Sequence, residues 1–254
     1  FSAYNNTFSA YTLNSNANKK VIWIHNDYKI KYKNEFKFRV LFNLSKSKYK
    51  NFDEIVAVSE GVKESFKELT GLTAKKVIPN YINTDEILKK SEEKVDFHVD
   101  DDNINFCFLG RLVYQKGLDL LFPIIKEYKE NNEEFQLYII GDGPLKDKLI
   151  NQVEELDLFD NITFLGAKKN PFPYLKKCDY LILNSRYEGQ GMVALEAKSL
   201  GLKVIMPERL NKYLNIDYID INDLKGVKKF KKKTDKLEDY NSNITEKINK
   251  LLGE

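Results

Sequence analysis

Two cationic side chains lie in a glycine-containing loop that follows a short apolar run. Arg111 and Lys116 are five residues apart, directly after the run 104–109 and next to Gly110 and Gly117. A guanidinium offers two parallel N–H groups and an ammonium offers a point charge, so this spacing suits a diphosphate that bridges them. Because only four of the 41 cationic residues are Arg, a phosphate site is as good an interpretation as a solvated surface pair. The four arginines are Arg39, Arg111, Arg186 and Arg209.

A second cluster combines two carboxylates with glycines at the start of a predicted helix. Residues 184–191 follow the apolar run 180–183 and lead into a helical segment that begins at Met192. Free N–H groups at a helix start bind phosphate or sugar oxygens. Glu188 on the loop and Glu196 in the helix could both accept hydrogen bonds from hydroxyl pairs of one sugar. Taken alone, the two could equally be a capping residue and a surface glutamate.

Glycine is concentrated in the same part of the chain. Of 12 glycines, eight fall between residues 110 and 201, mostly just after predicted strands. Strand ends of a parallel sheet line the crevice where ligands bind, and glycine lets backbone N–H groups approach a phosphate. Any single one could be an ordinary turn residue. The eight are Gly110, Gly117, Gly141, Gly143, Gly166, Gly189, Gly191 and Gly201.

The composition restricts the class of protein. The chain has 254 residues, of which 42% are hydrophobic and 31% charged, and its formal net charge is +3. No apolar run approaches the ~20 residues of a membrane-spanning helix, which rules out a transmembrane protein. The two cysteines, Cys107 and Cys178, rule out a disulfide scaffold and predict buried, reduced thiols in a cytoplasmic protein. The small net charge gives no argument for a nucleic-acid partner.

Strand-length apolar runs alternate with helix-period segments from about residue 103 onward. One amphipathic stripe contains Leu118, Leu121 and Ile125, and Pro123 within it predicts a helix that begins late or kinks. The alternation predicts a parallel sheet covered on both faces. The predicted strands are 104–109, 135–140, 162–165, 180–183 and 204–206.

Residues 21–90 follow the same pattern more thinly. The strand candidates are 21–25, 55–58 and 77–78. Three strands are few for a complete doubly wound domain. We therefore predict a partial N-terminal domain, residues 1–95, and a C-terminal domain, residues 96–254.

The remaining segments are less regular. Residues 84–99 are charged and weakly patterned, and we predict that they form the linker. Residues 216–221 are a candidate final strand, and 237–251 form a closing helical stripe. Residues 228–236 carry six lysines, for which a solvated loop is a better interpretation than a nucleic-acid or membrane patch, because acidic residues follow at once.

Five short motifs stand in a fixed order in the second half of the chain. They are FLGRL at 108–112, KGLD at 116–119, IGDGP at 140–144, FLG at 164–166, and SRYEGQGMVALEA at 185–197. With these motifs, residues 103–207 closely resemble the nucleotide-binding half of retaining GT-B glycosyltransferases of family 4, the group 1 transferases. The Glu-x7-Glu pair of that family falls on Glu188 and Glu196. The resemblance implies an α/β fold of GT-B type, with a Rossmann-like parallel sheet in the C-terminal domain and a partial Rossmann-like N-terminal domain.

The resemblance also implies roles for the matching residues. Arg111 and Lys116 would hold the diphosphate of the donor and stabilise it as the leaving group. Glu196 would accept the ribose hydroxyls, and Glu188 would lie against the donor sugar. Further donor contacts are implied for Gly110, for Gly141 near the base, and for the backbone of Gln190, Gly191, Met192 and Val193.

Residues 21–28, 56–62 and 77–83 extend the resemblance, more narrowly to capsule and exopolysaccharide members of the family. The turn His25-Asn26-Asp27 is similar to the histidine loop of the acceptor domain. His25 would then face the reacting sugar as a hydrogen-bond partner in the transition state. Without the resemblance, a structural histidine at a strand end is the better interpretation.

Two stretches depart from the family pattern. Nothing corresponds to the opening of the acceptor domain with its glycine-rich loop, and the chain starts at Phe1 without a methionine, so we expect a fragment that lacks the N-terminal part of that domain. The stretch after Pro207 lacks the glycine-rich pattern that usually follows Glu-x7-Glu. Donor contacts from that stretch are therefore not implied.

The resemblance implies a retaining, nucleotide-sugar-dependent hexosyltransferase that extends a surface polysaccharide or a lipid-linked glycan. We expect a UDP-sugar donor, a saccharide or lipid-linked saccharide acceptor, and no metal, because cationic side chains and a helix N-terminus can stabilise the departing diphosphate. The acidic run 100–102 precedes the first strand of its domain, which argues against a metal site. The protein would act in the cytoplasm or at the inner face of the membrane, with a membrane surface or a partner chain as further partners.

Three alternatives belong to other classes. A donor-binding half would capture a nucleotide sugar without transferring it. A glycosidase would use Glu188 and Glu196 as acid and nucleophile, but it would leave Arg111 and Lys116 without a role. A dinucleotide-dependent dehydrogenase is weaker still, because Gly141-x-Gly143 lacks the third glycine and follows the second strand of its unit.

Overall fold

Short apolar strands form two separate parallel sheets in the computed structural model. The structure describes residues 2–4, 9–131 and 134–253, and for residues 2–4 it describes the backbone only. The first sheet has the strand order β1-β2-β3-β4, and all of its pairings are parallel. Its strands are β1 (Ser2–Tyr4), β2 (Val21–Ile24), β3 (Glu54–Ala57) and β4 (Lys76–Val77). Strand β1 is additional to the three that the sequence predicts.

The second sheet has six parallel strands in the order β10-β9-β8-β5-β6-β7. Its first strand in the chain lies in the middle, so the order is that of a doubly wound sheet. The direction of winding reverses between β5 and β8, whose carboxyl ends therefore open the ligand crevice. The strands are β5 (Ile104–Leu109), β6 (Phe135–Ile140), β7 (Ile162–Gly166), β8 (Tyr180–Ile182), β9 (Lys203–Met206) and β10 (Ile219–Asp220). This confirms the predicted α/β class with parallel sheets.

Helices cover the sheets and bury one face each. Helix α6 begins at Leu118 and continues through Pro123, which excludes a late start, whereas the alternative, a kink at Pro123, stays a prediction. Its buried stripe includes Leu121 and Ile125, which join the core of the second sheet. The helices are α1 (Ser9–Leu13), α2 (Tyr28–Asn34), α3 (Phe36–Ser45), α4 (Glu60–Thr70), α5 (Thr84–Ser91), α6 (Leu118–Glu130), α7 (Lys146–Glu155), α8 (Phe172–Lys177), α9 (Met192–Ser199), α10 (Asn211–Leu214) and α11 (Glu238–Leu252).

The segment predicted as a linker contains helix α5, so the prediction for residues 84–99 is wrong in this part. Asn83 caps the helix by accepting a hydrogen bond from the N–H of Glu86. Ile87 is buried, and α5 packs against α8 and α9. The start and stop signals are present in the sequence, with acidic residues in the first turn and Lys89 and Lys90 in the last.

Helix α11 returns from the end of the chain to the first sheet. Its residues Ile244 and Leu251 pack with Val21, Val56 and Ile78 in one buried cluster. The closing helical stripe was predicted, but its packing against the first sheet was not. The proposed boundary between residues 95 and 96 stays a prediction.

The stretch between β10 and α11 is irregular and contains no helix or strand. Within it, Lys229 forms an ion pair with Asp179 at 2.8 Å, and Lys232 donates to the backbone carbonyls of Lys176 and Cys178. Two of the six lysines at 228–236 therefore attach the stretch to the second sheet and its helices. These are called the second unit below, and the first sheet with its helices is called the first unit. Among the described residues, none of the helices is long and apolar enough to cross a bilayer.

Candidate functional site

The carboxyl ends of β5 and β8 bring two predicted site residues together. Lys116 Nζ donates to Glu188 Oε1 at 2.7 Å, and the two side chains are only 18% and 7% exposed. Ser185 Oγ donates to the same oxygen at 2.6 Å. Glu188 Oε2 accepts no hydrogen bond within the described part of the chain. The sequence placed both residues in one site but did not predict that they form an ion pair.

Arg186 connects the loop that carries Glu188 to the loop that carries Lys116 through hydrogen bonds. Its guanidinium donates to both carboxylate oxygens of Asp119, at 2.8 and 2.6 Å, and to the backbone carbonyl of Tyr114 at 2.6 Å. It also lies 3.8 Å from the centroid of the Tyr114 ring. The Arg186 guanidinium holds the pKa of Asp119 below its usual range. This arginine therefore positions the loops and is not available to bind an anion.

Arg209, which follows β9, reaches the same loop and was not among the predicted site residues. Its Nη2 lies 3.2 Å from Asn184 Oδ1 and 3.3 Å from the Ser185 carbonyl oxygen. Burial, together with the nearby Arg186 charge, lowers the pKa of Arg209. The available signal was the rarity of arginine in this lysine-rich chain.

Arg111 differs from these two arginines because its side chain is exposed. It makes no ion pair or side-chain hydrogen bond with any described residue. It directly follows Gly110 at the end of β5, next to the crevice. An exposed guanidinium in this position is free to bind an anionic ligand.

Helix α9 begins directly after the Glu188 loop. Gly191 precedes it in the left-handed region, with φ of +65°, which glycine adopts without strain. The N–H groups of Met192 and Val193 make no hydrogen bond within the described residues, as expected for a first helical turn. Glu196 is half-buried, makes no hydrogen bond or ion pair with a described residue, and has its pKa raised by burial. The helix therefore offers two N–H donors and one unpaired carboxylate.

Several glycines are required by close backbone contacts between the loops. A Cβ at Gly141 would lie 1.9 Å from the carbonyl oxygen of Gly110, and one at Gly117 would lie 2.3 Å from that of Asn184. Gly141 thus allows the ends of β6 and β5 to touch, and Gly117 allows the start of α6 to touch the loop after β8. The Cβ side of Gly141 is filled by Gly110, and the expected contact of Gly141 with the nucleotide near its base stays a prediction.

The turn of His25 lies directly against the Glu188 loop. A Cβ at Gly189 would lie 1.9 Å from the carbonyl oxygen of His25, and Ser59 Oγ donates to the Gly189 carbonyl at 2.6 Å. Burial lowers the pKa of His25 to about 4, so its ring is neutral at pH 7. The two units therefore meet at the turn of His25 and the loop of Glu188. That both side chains face the donor sugar stays a prediction.

Asp27 attaches the same turn to the second unit. Its buried carboxylate accepts hydrogen bonds from the N–H of Ile30 at 2.9 Å, from Ser65 Oγ and from Tyr213 Oη at 2.5 Å. Tyr213 lies on α10, and burial together with Asp27 raises its pKa. The position of the histidine turn is thus fixed from both units.

Gln190 turns its side chain toward the first unit. Its Oε1 accepts from the N–H and from Nδ2 of Asn80, both at 2.6 Å, and its Nε2 contacts Tyr240 Oη. Only its backbone was expected to touch the donor. A cavity of about 630 Å³ lies beside Gln190, lined also by Ser59 and Tyr240, and neither Lys116 nor Glu188 lines it.

No cluster of three or more His, Cys, Asp or Glu side chains that could hold a metal ion is found in the described parts of the chain. That no metal is needed stays a prediction.

Residues 89–210, which include β5 to β9 and the crevice, match the family model for glycosyl transferases group 1. This part of the chain is a glycosyl transferases group 1 domain. An uncharacterized glycosyltransferase of Methanocaldococcus jannaschii, MJ1059, is 32% identical over 198 residues, which are 75% of this chain and 48% of that protein. A Campylobacter jejuni transferase is 30% identical over 175 residues, which are 68% of this chain and 46% of that protein; it is named as an N-acetylgalactosaminyltransferase that acts on a diphospho-undecaprenol-linked sugar.

Solved structures share the fold of this glycosyl transferases group 1 domain and of the unit before it. The structure of TarM matches 98% of this chain and 47% of its own, with a TM-score of 0.64 and 18% identity. Anabaena HepE, solved in complex with UDP, matches 75% of this chain and 53% of its own, with a TM-score of 0.58 and 19% identity. The predicted GT-B fold is confirmed. The chain spans about half the length of the curated relatives it matches.

Proposed function

We propose that this chain forms the donor-binding part of a retaining, nucleotide-sugar-dependent glycosyltransferase of family 4. In this proposal the whole protein transfers a hexose from a UDP-sugar to a surface polysaccharide, such as a capsule, or to a lipid-linked glycan. The observation that carries the proposal is the pairing of Lys116 with Glu188 at the carboxyl ends of β5 and β8, beside an unpaired Arg111. The UDP in the HepE complex supports the donor, and the glycan named for the Campylobacter jejuni relative supports the acceptor class.

The leaving group of such a reaction is a nucleoside diphosphate, which gains negative charge as the glycosidic bond breaks. Arg111 would bind it with its two-pronged guanidinium, and Lys116 would share its ammonium between the phosphate and Glu188. The free N–H groups of Met192 and Val193 would add the positive end of helix α9. Lys116 and the N–H groups of Met192 and Val193 are held by the fold before the substrate arrives, so these donors need little reorganisation in the transition state.

The two carboxylates would have different tasks. Glu196 has a raised pKa because it is half-buried without a partner, so two ribose hydroxyls would supply the hydrogen bonds that it lacks. In Glu188, Oε1 already accepts from Lys116 and Ser185, which leaves Oε2 for the donor sugar. His25 is neutral at pH 7 and would exchange a hydrogen bond with a sugar hydroxyl. Gly110 and the Gln190–Gly191 backbone would line the same site.

Calorimetric titration with UDP and with GDP, each without added metal, tests the donor site. We expect one nucleotide to bind, and Arg111→Ala and Glu196→Ala to weaken its binding at least tenfold, or about 1.4 kcal/mol each. Arg39→Ala is the matched control, because Arg39 lies on α3, outside the crevice. No binding of either nucleotide, or equal affinity in all variants, would contradict the proposal.

A second candidate function is a donor-binding half that does not transfer the sugar alone. It needs only the donor contacts of Arg111, of Glu196 and of the start of helix α9, and no transfer step. Transfer from a UDP-hexose to a saccharide acceptor, followed by NMR of the anomeric proton, separates the two candidates. Product with the donor's anomeric configuration supports the retaining transferase, whereas nucleotide binding without product supports the donor-binding half.

A further inference from the structure

Helix α3 exposes large apolar side chains on the face that points away from the core. Phe36, Val40, Leu41 and Leu44 are 69%, 43%, 64% and 75% exposed. At 3.6 residues per turn they fall within an arc of about 140°. The opposite face of the helix carries Phe42, which is buried in an aromatic cluster with neighbouring helices. The four residues, here called the outer face of α3, thus form a contiguous apolar stripe that stays largely exposed within the described part of the chain.

The same segment concentrates the positive charge of the molecule. Residues 28–52 contain eight cationic residues and one acidic residue, a formal charge of +7, whereas the whole chain carries +3. The rest of the chain is therefore net negative, at −4. Within the described residues, only Lys29 and Lys31 of these eight form ion pairs. The other six are Lys33, Lys37, Arg39, Lys46, Lys48 and Lys50.

Basic and apolar groups are interleaved on this surface. Lys37 lies within the arc of the outer face, and the Arg39 guanidinium lies 5.5 Å from the centroid of the Phe36 ring. Apolar side chains flanked by lysines are the pattern of a helix that lies in the interface of an anionic membrane. The apolar groups enter the acyl boundary, and the lysines contact the lipid phosphates. An acidic protein surface would satisfy the lysines but would leave the four exposed apolar side chains without an apolar partner.

We propose that the outer face of α3 binds the surface of a membrane that contains anionic phospholipid. The segment also touches the candidate site, because Tyr187 Oη contacts Glu35 Oε1 at 3.4 Å and Tyr187 immediately precedes Glu188. Membrane binding at α3 brings the crevice close to the lipid headgroups. The proposal does not depend on the identity of the donor or on transfer activity.

Co-sedimentation of the full chain with vesicles tests the proposal. One set of vesicles contains equal parts of phosphatidylglycerol and phosphatidylcholine, and the other contains phosphatidylcholine alone. We expect binding to the first set and at least tenfold weaker binding to the second. Phe36→Ser with Leu44→Ser, and separately Lys33→Gln with Lys37→Gln, should each weaken binding to the anionic vesicles at least tenfold.

Matched controls change the same residue types elsewhere on the surface. Phe159→Ser with Leu252→Ser removes two side chains that are 61% and 62% exposed, and Lys231→Gln with Lys233→Gln removes two charges from the other lysine-rich stretch. Both control variants should bind like the unchanged chain. Because all substituted side chains are exposed, circular dichroism melting curves should coincide for the whole set.

Three outcomes would overturn the proposal. One is that the unchanged chain does not bind the anionic vesicles. Another is that the α3 variants bind as tightly as the controls, and a third is that the lysine-rich stretch at 228–236 alone accounts for binding. A fourth outcome comes from sedimentation velocity without lipid. If the unchanged chain is a dimer and the double variant Phe36→Ser with Leu44→Ser is a monomer, the outer face of α3 binds a second copy of the chain and not a membrane.

Discussion

The ion pair between Lys116 and Glu188 should contribute measurably to stability, because it is largely removed from water. Nζ and Oε1 are 2.7 Å apart, and the side chains are 18% and 7% exposed. Lys116→Met would leave the buried carboxylate with Ser185 as its only donor among the residues that the structure describes. Removing one partner of a buried pair costs about 3–5 kcal/mol, and we expect the lower end because Ser185 remains.

The double variant separates the interaction from the loss of each side chain. Glu188→Gln keeps the shape and the hydrogen bond from Ser185, and it leaves a lysine that can extend toward water. With both substitutions no uncompensated charge is buried. We therefore expect a coupling energy of about 2 kcal/mol between the two sites.

Urea unfolding followed by circular dichroism measures the four free energies of this cycle. The matched control is the exposed pair of Lys250 and Glu246 on α11, whose side chains are 70% and 63% exposed. Its coupling should be about 0.3–0.5 kcal/mol, as for other exposed helix pairs. A Lys116–Glu188 coupling no larger than that of the control would refute the argument that burial gives this pair its strength.

Three further predictions concern the contacts around the site. Gly189→Ala places a Cβ 1.9 Å from the His25 carbonyl oxygen and should lower the free energy of unfolding by about 2–4 kcal/mol. The control is Gly226→Ala, whose Cβ would meet no neighbouring atom within 4 Å and should change this free energy by less than about 0.5 kcal/mol. Equal melting temperatures of the two variants would show that the loops of Gly189 and His25 do not touch. Arg186→Lys should cost about 1–2 kcal/mol in urea unfolding, because lysine cannot donate to both oxygens of Asp119, and a variant as stable as the unchanged chain would contradict this. The pKa of His25 falls from 6.5 in the unfolded chain to about 4 in the fold, so its contribution to stability is full above pH 6.5 and is lost as the pH falls toward 4. Between pH 7 and pH 4, the unchanged chain should therefore lose up to about 3 kcal/mol more of its free energy of unfolding than His25→Gln loses. Identical losses in the two proteins would refute this prediction.

The second sheet could be predicted from the sequence almost residue by residue. Strands β5 and β6 begin and end where the apolar runs do, because strands buried on both faces appear as continuous apolar segments. The segments outside β5 to β9 were harder to predict, including β10 at the edge of the second sheet. Helix α5 has caps but only a weak apolar stripe, and β10 covers only Ile219–Asp220 of the predicted 216–221. The local sequence pattern does not predict that α11 packs against the first sheet, because the residues it contacts lie far away in sequence.

The candidate site was predictable in its residue types but not in its pairings. Arg111, Lys116, Glu188 and Glu196 were selected because their chemistry suits a diphosphate and a diol. Which of them already has a partner depends on how two loops some 70 residues apart are packed, as in the pair of Lys116 with Glu188. Arg209 was missed for the same reason, because it reaches Asn184 from the end of another strand.

The return of α11 to the first sheet also affects the order in which the chain can fold during synthesis. Val21, Val56 and Ile78 emerge from the ribosome early, yet the residues that cover them, Ile244 and Leu251, are made at least 166 positions after Ile78. Until then that face of the sheet is apolar and exposed, which makes it a binding site for chaperones and a starting point for aggregation. The second sheet contains the strands between these two segments and can close first. Of these two units, the one that contains the first sheet should therefore be completed after the one that contains the second sheet.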